Sequence, residues 1–172
     1  MNLLGDTSGA VFSQCRRYRY ELWRTWSAGP KMCLFIGMNP SQANEVDNDR
    51  TVAKMCRLAA RWGYDGLLVA NVFAWIETDS RKLPALIEAG VDIVGPDNDA
   101  AILRLAKRSG IICAGFGNPG MLQGRGEKVL KMLKDAGHAP RAFAINANGA
   151  PKHPLYCKEL DIPPECLATE RC

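Results

Sequence analysis

The sequence predicts an α/β fold, a central four-stranded parallel sheet with helices around it and an antiparallel edge strand on its N-terminal side. Three observations predict it. Four short apolar runs have the composition of buried strands: residues 33–37 (CLFIG), 67–71 (LLVAN), 110–115 (GIICAG) and 141–146 (RAFAIN). Segments of helical period separate them, at 51–62, 97–108 and 126–136. Each run is followed by a turn signal, so strand, turn and helix alternate. Strands joined through helices close right-handed crossovers and lie parallel.

From the N-terminus, residues 18–26 alternate apolar and polar side chains and are joined by SAGPK to the first buried run. That pattern fits an antiparallel edge hairpin, with a helix as the alternative. The 51–62 helix carries Val52, Met55, Ala59 and Trp62 on one face, and Asp49 is suited to cap it. The PDND turn opens the 97–108 helix, and Gly137 closes the 126–136 helix.

With 172 residues, 47% hydrophobic and 23% charged, the chain reads as one domain over 1–172 able to bury a core. No apolar run approaches the ~20 residues of a membrane span. The opening MNLLGDTSG has no signal-peptide pattern, so a cytoplasmic protein is expected. Cys15, Cys33, Cys56, Cys113, Cys157, Cys166 and Cys172 form no C-x-x-C pair, which supports neither a disulfide framework nor a metal or iron–sulfur spacing. Reduced thiols are expected. A net charge of +4 permits a polyanionic partner without requiring one. Arg16, Arg17, Arg19 and Arg24 interleave with Tyr18, Tyr20, Trp23 and Trp26. Such a segment can grip nucleic acid, but a half-buried strand has the same alternation and is the preferred reading.

In open parallel sheets ligands bind beyond the carboxyl ends of the strands. That rule selects GMNPSQ (37–42), NVFAW (71–75), GFGNPG (115–120) and NGAPKHPLY (148–156). GFGNPG can cradle phosphate through backbone N–H groups, including those of Gly117 and Asn118, yet matches neither a Walker loop nor a dinucleotide fingerprint.

Gly37-Met38-Asn39-Pro40 after the first strand, Asn71 at the end of LLVAN and His153-Pro154 after the last strand together resemble the motifs of the uracil-DNA glycosylase superfamily. The whole sequence is also similar to a family of bacterial and phage proteins classed as a domain of unknown function. The resemblance implies a three-layer α/β/α, uracil-DNA glycosylase-like domain that acts on DNA, as a monomer, without metal or cofactor. It implies that Asn39 orients the attacking water, His153 stabilises the departing base and Asn71 reads the base edge. The pattern departs from the uracil-specific branch in having Asn39 for Asp and Ser41 for an aromatic. A small Ser41 leaves room for a 5-modified pyrimidine.

Phe73 or Trp75 could stack on a flipped base, although core packing is the preferred reading for both. Asp49 or Asp47 could activate water in place of the missing motif Asp; for Asp49 the helix cap carries more weight. Arg125 and Lys152 lie near the GFGNPG and His-Pro loops and are candidates for phosphate contacts, with solvated surface charge as the default. Leu155 stands where the motif's DNA-contacting Ser would be. The function expected is a glycosylase releasing uracil or a 5-modified pyrimidine from DNA. Its rivals are an N-glycosidase of free nucleosides or nucleotides and a non-catalytic reader of modified bases or nucleic acid.

Overall fold

A computed structural model describes residues 7–161, 163 and 164 of the protein; Cys166 and Cys172 lie outside the described residues. Five strands form one mixed sheet: β1 (Thr7–Phe12), β2 (Arg19–Thr25), β3 (Met32–Gly37), β4 (Gly66–Asn71) and β5 (Ile111–Ala114). Their order is β1-β2-β4-β3-β5. β4, β3 and β5 are parallel, whereas β2 runs antiparallel to both β1 and β4.

The sheet is therefore not the expected four-stranded parallel one. Residues 141–146 make a single parallel bridge, with Arg141 N–H donating to Ile112 O and Arg141 O accepting from Ala114 N–H. After that point the backbone groups are committed locally. Ala144 O accepts from Lys152 N–H at 2.8 Å, and Asn146 N–H donates to Ala150 O at 2.9 Å, so a tight return replaces a strand ladder. Phe143 leaves the strand direction to pack beside Phe35 and Trp62.

The N-terminal edge is corrected as well. Strand β2 does not pair with β3, because β3 is occupied on both sides by parallel neighbours; it joins the free side of β4 instead. The edge strand is β1, a short segment with an exposed, polar start that carried no strand signal.

Four helices, α1 (Arg50–Arg61), α2 (Leu83–Glu88), α3 (Asn98–Lys107) and α4 (Arg125–Asp135), complete the fold. The sheet is covered on both faces. Leu34 and Ile36 pack with Leu105 of α3 and Val129 of α4; the alternate residues Cys33 and Phe35 pack with Met55 and Leu58 of α1. This explains why the central strands read as unbroken apolar runs. Asp49 caps α1, its carboxylate accepting from Val52 N–H at 2.9 Å. Among the described residues no helix is long and apolar enough to cross a membrane.

Candidate functional site

The loops that leave β3, β4 and β5 meet the 146–156 segment around a cavity of about 480 Å³. That size suits a small-molecule or nucleotide-sized ligand. Asn39, Ser41, Asp49, Asn71, Gly117, Asn118, Lys152 and His153 all line it, although they come from four separate stretches of sequence.

Asn71 closes β4 and is 5% exposed. Its backbone carbonyl accepts from Asn98 Nδ2 at 3.0 Å, which holds the strand end. Its side-chain amide makes no hydrogen bond among the described residues and faces the cavity. The amide therefore presents one face of donor and acceptor groups to the cavity. Gly37 allows the arrangement, since a Cβ there would come within 2.7 Å of Asn71 Oδ1.

Asn39 is oriented more firmly. Its Nδ2 donates to Glu77 O at 2.7 Å and Pro40 O at 3.0 Å, fixing which end of the amide is nitrogen and leaving Oδ1 as the acceptor. Glu77 N–H in turn donates to Pro40 O at 3.1 Å, so the NPS turn is tied to the segment after β4.

His153 begins a short 3-10 turn, Pro154–Tyr156, packed on Gly115, where a Cβ would meet Pro154 Cδ at 2.7 Å. Lys54 of α1 holds the far end through Cys157 O at 2.7 Å. Leu155 N–H donates to His153 Nδ1 at 3.3 Å, which requires Nδ1 to be unprotonated and puts the neutral ring's hydrogen on Nε2. Burial lowers the imidazole pKa, with Lys54 acting in the same direction and Asp49 opposing. The site thus holds a neutral imidazole with one free N–H donor. The Tyr156 ring, 76% exposed, stands 5.7 Å from His153 between centroids and forms part of the rim.

Five candidates lie elsewhere. Phe73 is buried in the core. Trp75 packs edge-on to Tyr18 at 5.5 Å. The Asp47 carboxylate accepts from Asn44 Nδ2 at 2.9 Å in an exposed turn outside the cavity. Leu155 contributes its N–H to His153 without lining the cavity. Arg125 is 4% exposed, donating to Val72 O at 2.7 Å and Asp99 Oδ1 at 2.5 Å, so it braces the fold and presents no charge to the cavity.

Arg19, Glu77, Thr78, Ser80 and Tyr156 also line the cavity and were not singled out from sequence. Only Arg19 carried a signal, in its basic and aromatic neighbourhood. Among the described residues, no cluster of three or more His, Cys, Asp or Glu side chains is arranged to hold a metal ion.

A family model described as "Protein of unknown function (DUF1643)" matches residues 19–155, most of the chain. The chain belongs to the DUF1643 family. The DUF1643 match runs from Arg19 through Leu155 and so contains every cavity residue named above except Tyr156. No curated protein and no solved structure matches the chain.

Proposed function

We propose that the cavity is the active site of an N-glycosidase that hydrolyses the bond between sugar and base of a pyrimidine nucleotide flipped out of DNA. The observation that carries this reading is the neutral His153 with its free Nε2–H, sharing one cavity with the unpartnered amide of Asn71 and the fixed Oδ1 of Asn39. These are the three groups that departure of a pyrimidine anion requires.

In the reaction the C1′–N1 bond breaks and its electron pair leaves with the base. His153 Nε2–H donates to the pyrimidine O2, where negative charge builds; a preorganised donor of this type is worth ~3 kcal/mol. Asn71 holds the base edge through one donor and one acceptor. Water held by Asn39 Oδ1 adds to C1′. Its proton passes to a carboxylate, for which Asp49 is the candidate on the cavity; Asp49 Oδ1 is engaged with Val52 N–H, and its second oxygen has no partner among the described residues. The base anion takes up a proton on release. Ser41 leaves space beside C5, so a 5-substituted pyrimidine is a substrate alongside uracil.

One observation favours a second reading, an N-glycosidase of free nucleotides. With Arg125 withdrawn into an ion pair and the Gly117 N–H donating to Pro151 O, Lys152 is the one expected cationic phosphate contact that lines the cavity. The test is incubation with uracil- or 5-substituted-pyrimidine DNA and with the matching nucleotides, scored for free base. Release from DNA that is lost in His153→Ala supports the first reading, and release from nucleotides alone selects the second. Release from neither removes both.

A further inference from the structure

Strand β2 brings an arginine to the cavity by a local irregularity. In the β1–β2 ladder Val11 pairs with Glu21 and Phe12 with Arg19, so Tyr20 is an extra residue and forms a bulge. Tyr20 packs against Ala101 of α3, and Glu21 pairs with Arg104 of the same helix, so two consecutive side chains face α3. The alternation is thereby shifted by one. Arg19 turns to the α1 face, on which Leu22 packs, and because β2 is antiparallel to β4 it arrives where the parallel strands end.

Arg19 is 3% exposed, yet among the described residues only one of its side-chain nitrogens has a partner, Ala43 O. Among the described residues it has no ion pair. The other buried arginines differ. Arg24 donates to Asn48 Oδ1, Trp23 O, Asn44 O and Asp47 O; Arg125 is paired with Asp99. Burial lowers the Arg19 pKa to about 10, with Asp49 opposing, so the group is still a cation at neutral pH. A buried cation with free donors is costly unless an anion meets it.

Neither acid of the cavity pairs with Arg19. Asp49 caps α1 through Oδ1 and acts on Arg19 only through its field, and the Glu77 carboxylate accepts from Asp79 N–H at 2.9 Å and lies 3.7 Å from Lys82 Nζ. Arg19 and Lys152 are the cations that line the cavity. We infer that Arg19 binds a phosphate of the nucleotide inside the cavity, through the planar donor set that its single contact to Ala43 leaves free. The inference rests on the nucleotide reading above and specifies its substrate class: the ligand enters with a phosphate attached, as a mononucleotide or as a nucleotide within a strand.

Calorimetric titration of dUMP and TMP, each against its nucleoside, tests this in the wild-type protein and in Arg19→Met. The wild type is expected to favour nucleotide over nucleoside by about 10- to 100-fold, the range of a charge-assisted contact. Arg19→Met should reduce that preference to roughly 3-fold or less. Equal affinities in the wild type, a preference that survives in Arg19→Met, or no binding of either nucleotide or of inorganic phosphate overturns the inference.

If Arg19→Met fails to fold, Arg19→Lys decides, since it keeps a buried cation and loses the planar fork. A several-fold drop in preference supports the inference, and none overturns it. A short deoxyuridine oligonucleotide distinguishes the sources, because tighter binding than dUMP assigns an internal phosphodiester and weaker binding a terminal phosphate. Arg19-dependent nucleotide binding without base release would sink the glycosidase reading alone. Base release with no Arg19-dependent preference would sink this inference alone.

Discussion

Gly37→Ala is expected to impair base recognition while leaving the fold intact. A Cβ at this position would lie 2.7 Å from Asn71 Oδ1 and 3.9 Å from Asn71 Cγ, with Ala70 O next at 4.0 Å. The only atom in conflict is the end of the amide, so it must retreat by roughly 0.5 Å or more to restore ordinary contact. Rotating that side chain off its preferred angle costs on the order of 1 kcal/mol. Removing a glycine from a strand returns about 0.5–1 kcal/mol, so net stability should change little. Function should respond more strongly, because a displacement of about 1 Å at a reacting site can cost ~100-fold; roughly 10-fold in kcat/KM is expected here. The assay is base release at limiting substrate, paired with thermal denaturation and repeated in Asn71→Ala. In that background Gly37→Ala should add nothing, since the amide it displaces is already gone. Unchanged kcat/KM in the single variant, or the same 10-fold loss on top of Asn71→Ala, would refute the role given to the amide.

Three further outcomes follow from the same geometry. Arg125→Ala should lower stability by about 1 kcal/mol, because it removes a buried hydrogen bond to Val72 O and the ion pair to the partly exposed Asp99, which keeps Lys128 while Val72 O keeps Asn98; a flattened salt dependence of DNA binding with unchanged melting would contradict this. The His153 imidazole, followed by NMR with His138→Gln for assignment, should titrate below the ordinary value near 6.5. Between those two pH values the unfolded chain binds the extra proton, so the stability contributed by neutral His153 is complete above about pH 6.5 and is lost as pH falls through its native value. Denaturation midpoints that do not fall with acid over that window more steeply than in His153→Gln would count against it. Ser41→Tyr fills half-buried space on the cavity, so release of a 5-substituted pyrimidine should fall by about 10-fold or more relative to uracil. Parallel loss on both substrates would show that Ser41 does not flank C5.

The apolar runs of β3, β4 and β5 and the amphipathic α1, α3 and α4 were legible because burial on two faces leaves continuous hydrophobicity and burial on one leaves a helical stripe. The strand-end rule followed from those elements and selected the four loops; within them, Asn39, Asn71 and His153 were singled out by the motif resemblance and not by the rule itself. Residues 141–146 misled because an apolar run reports burial and not pairing; whether its N–H and C=O groups join a sheet or a local return depends on where residues 150–152 lie. The place of β2 was illegible for a similar reason, since pairing with β4 follows from β3 being enclosed on both sides. The sequence alone determined β3, β4, β5, α1, α3 and α4 and which turns carry polar side chains, because those depend on local period and composition. Only the tertiary structure decided that Arg19 enters the cavity while Arg125 leaves it. A bulge at Tyr20 turns the one inward and an ion pair with Asp99 draws the other into the fold, and both depend on partners far away in the chain.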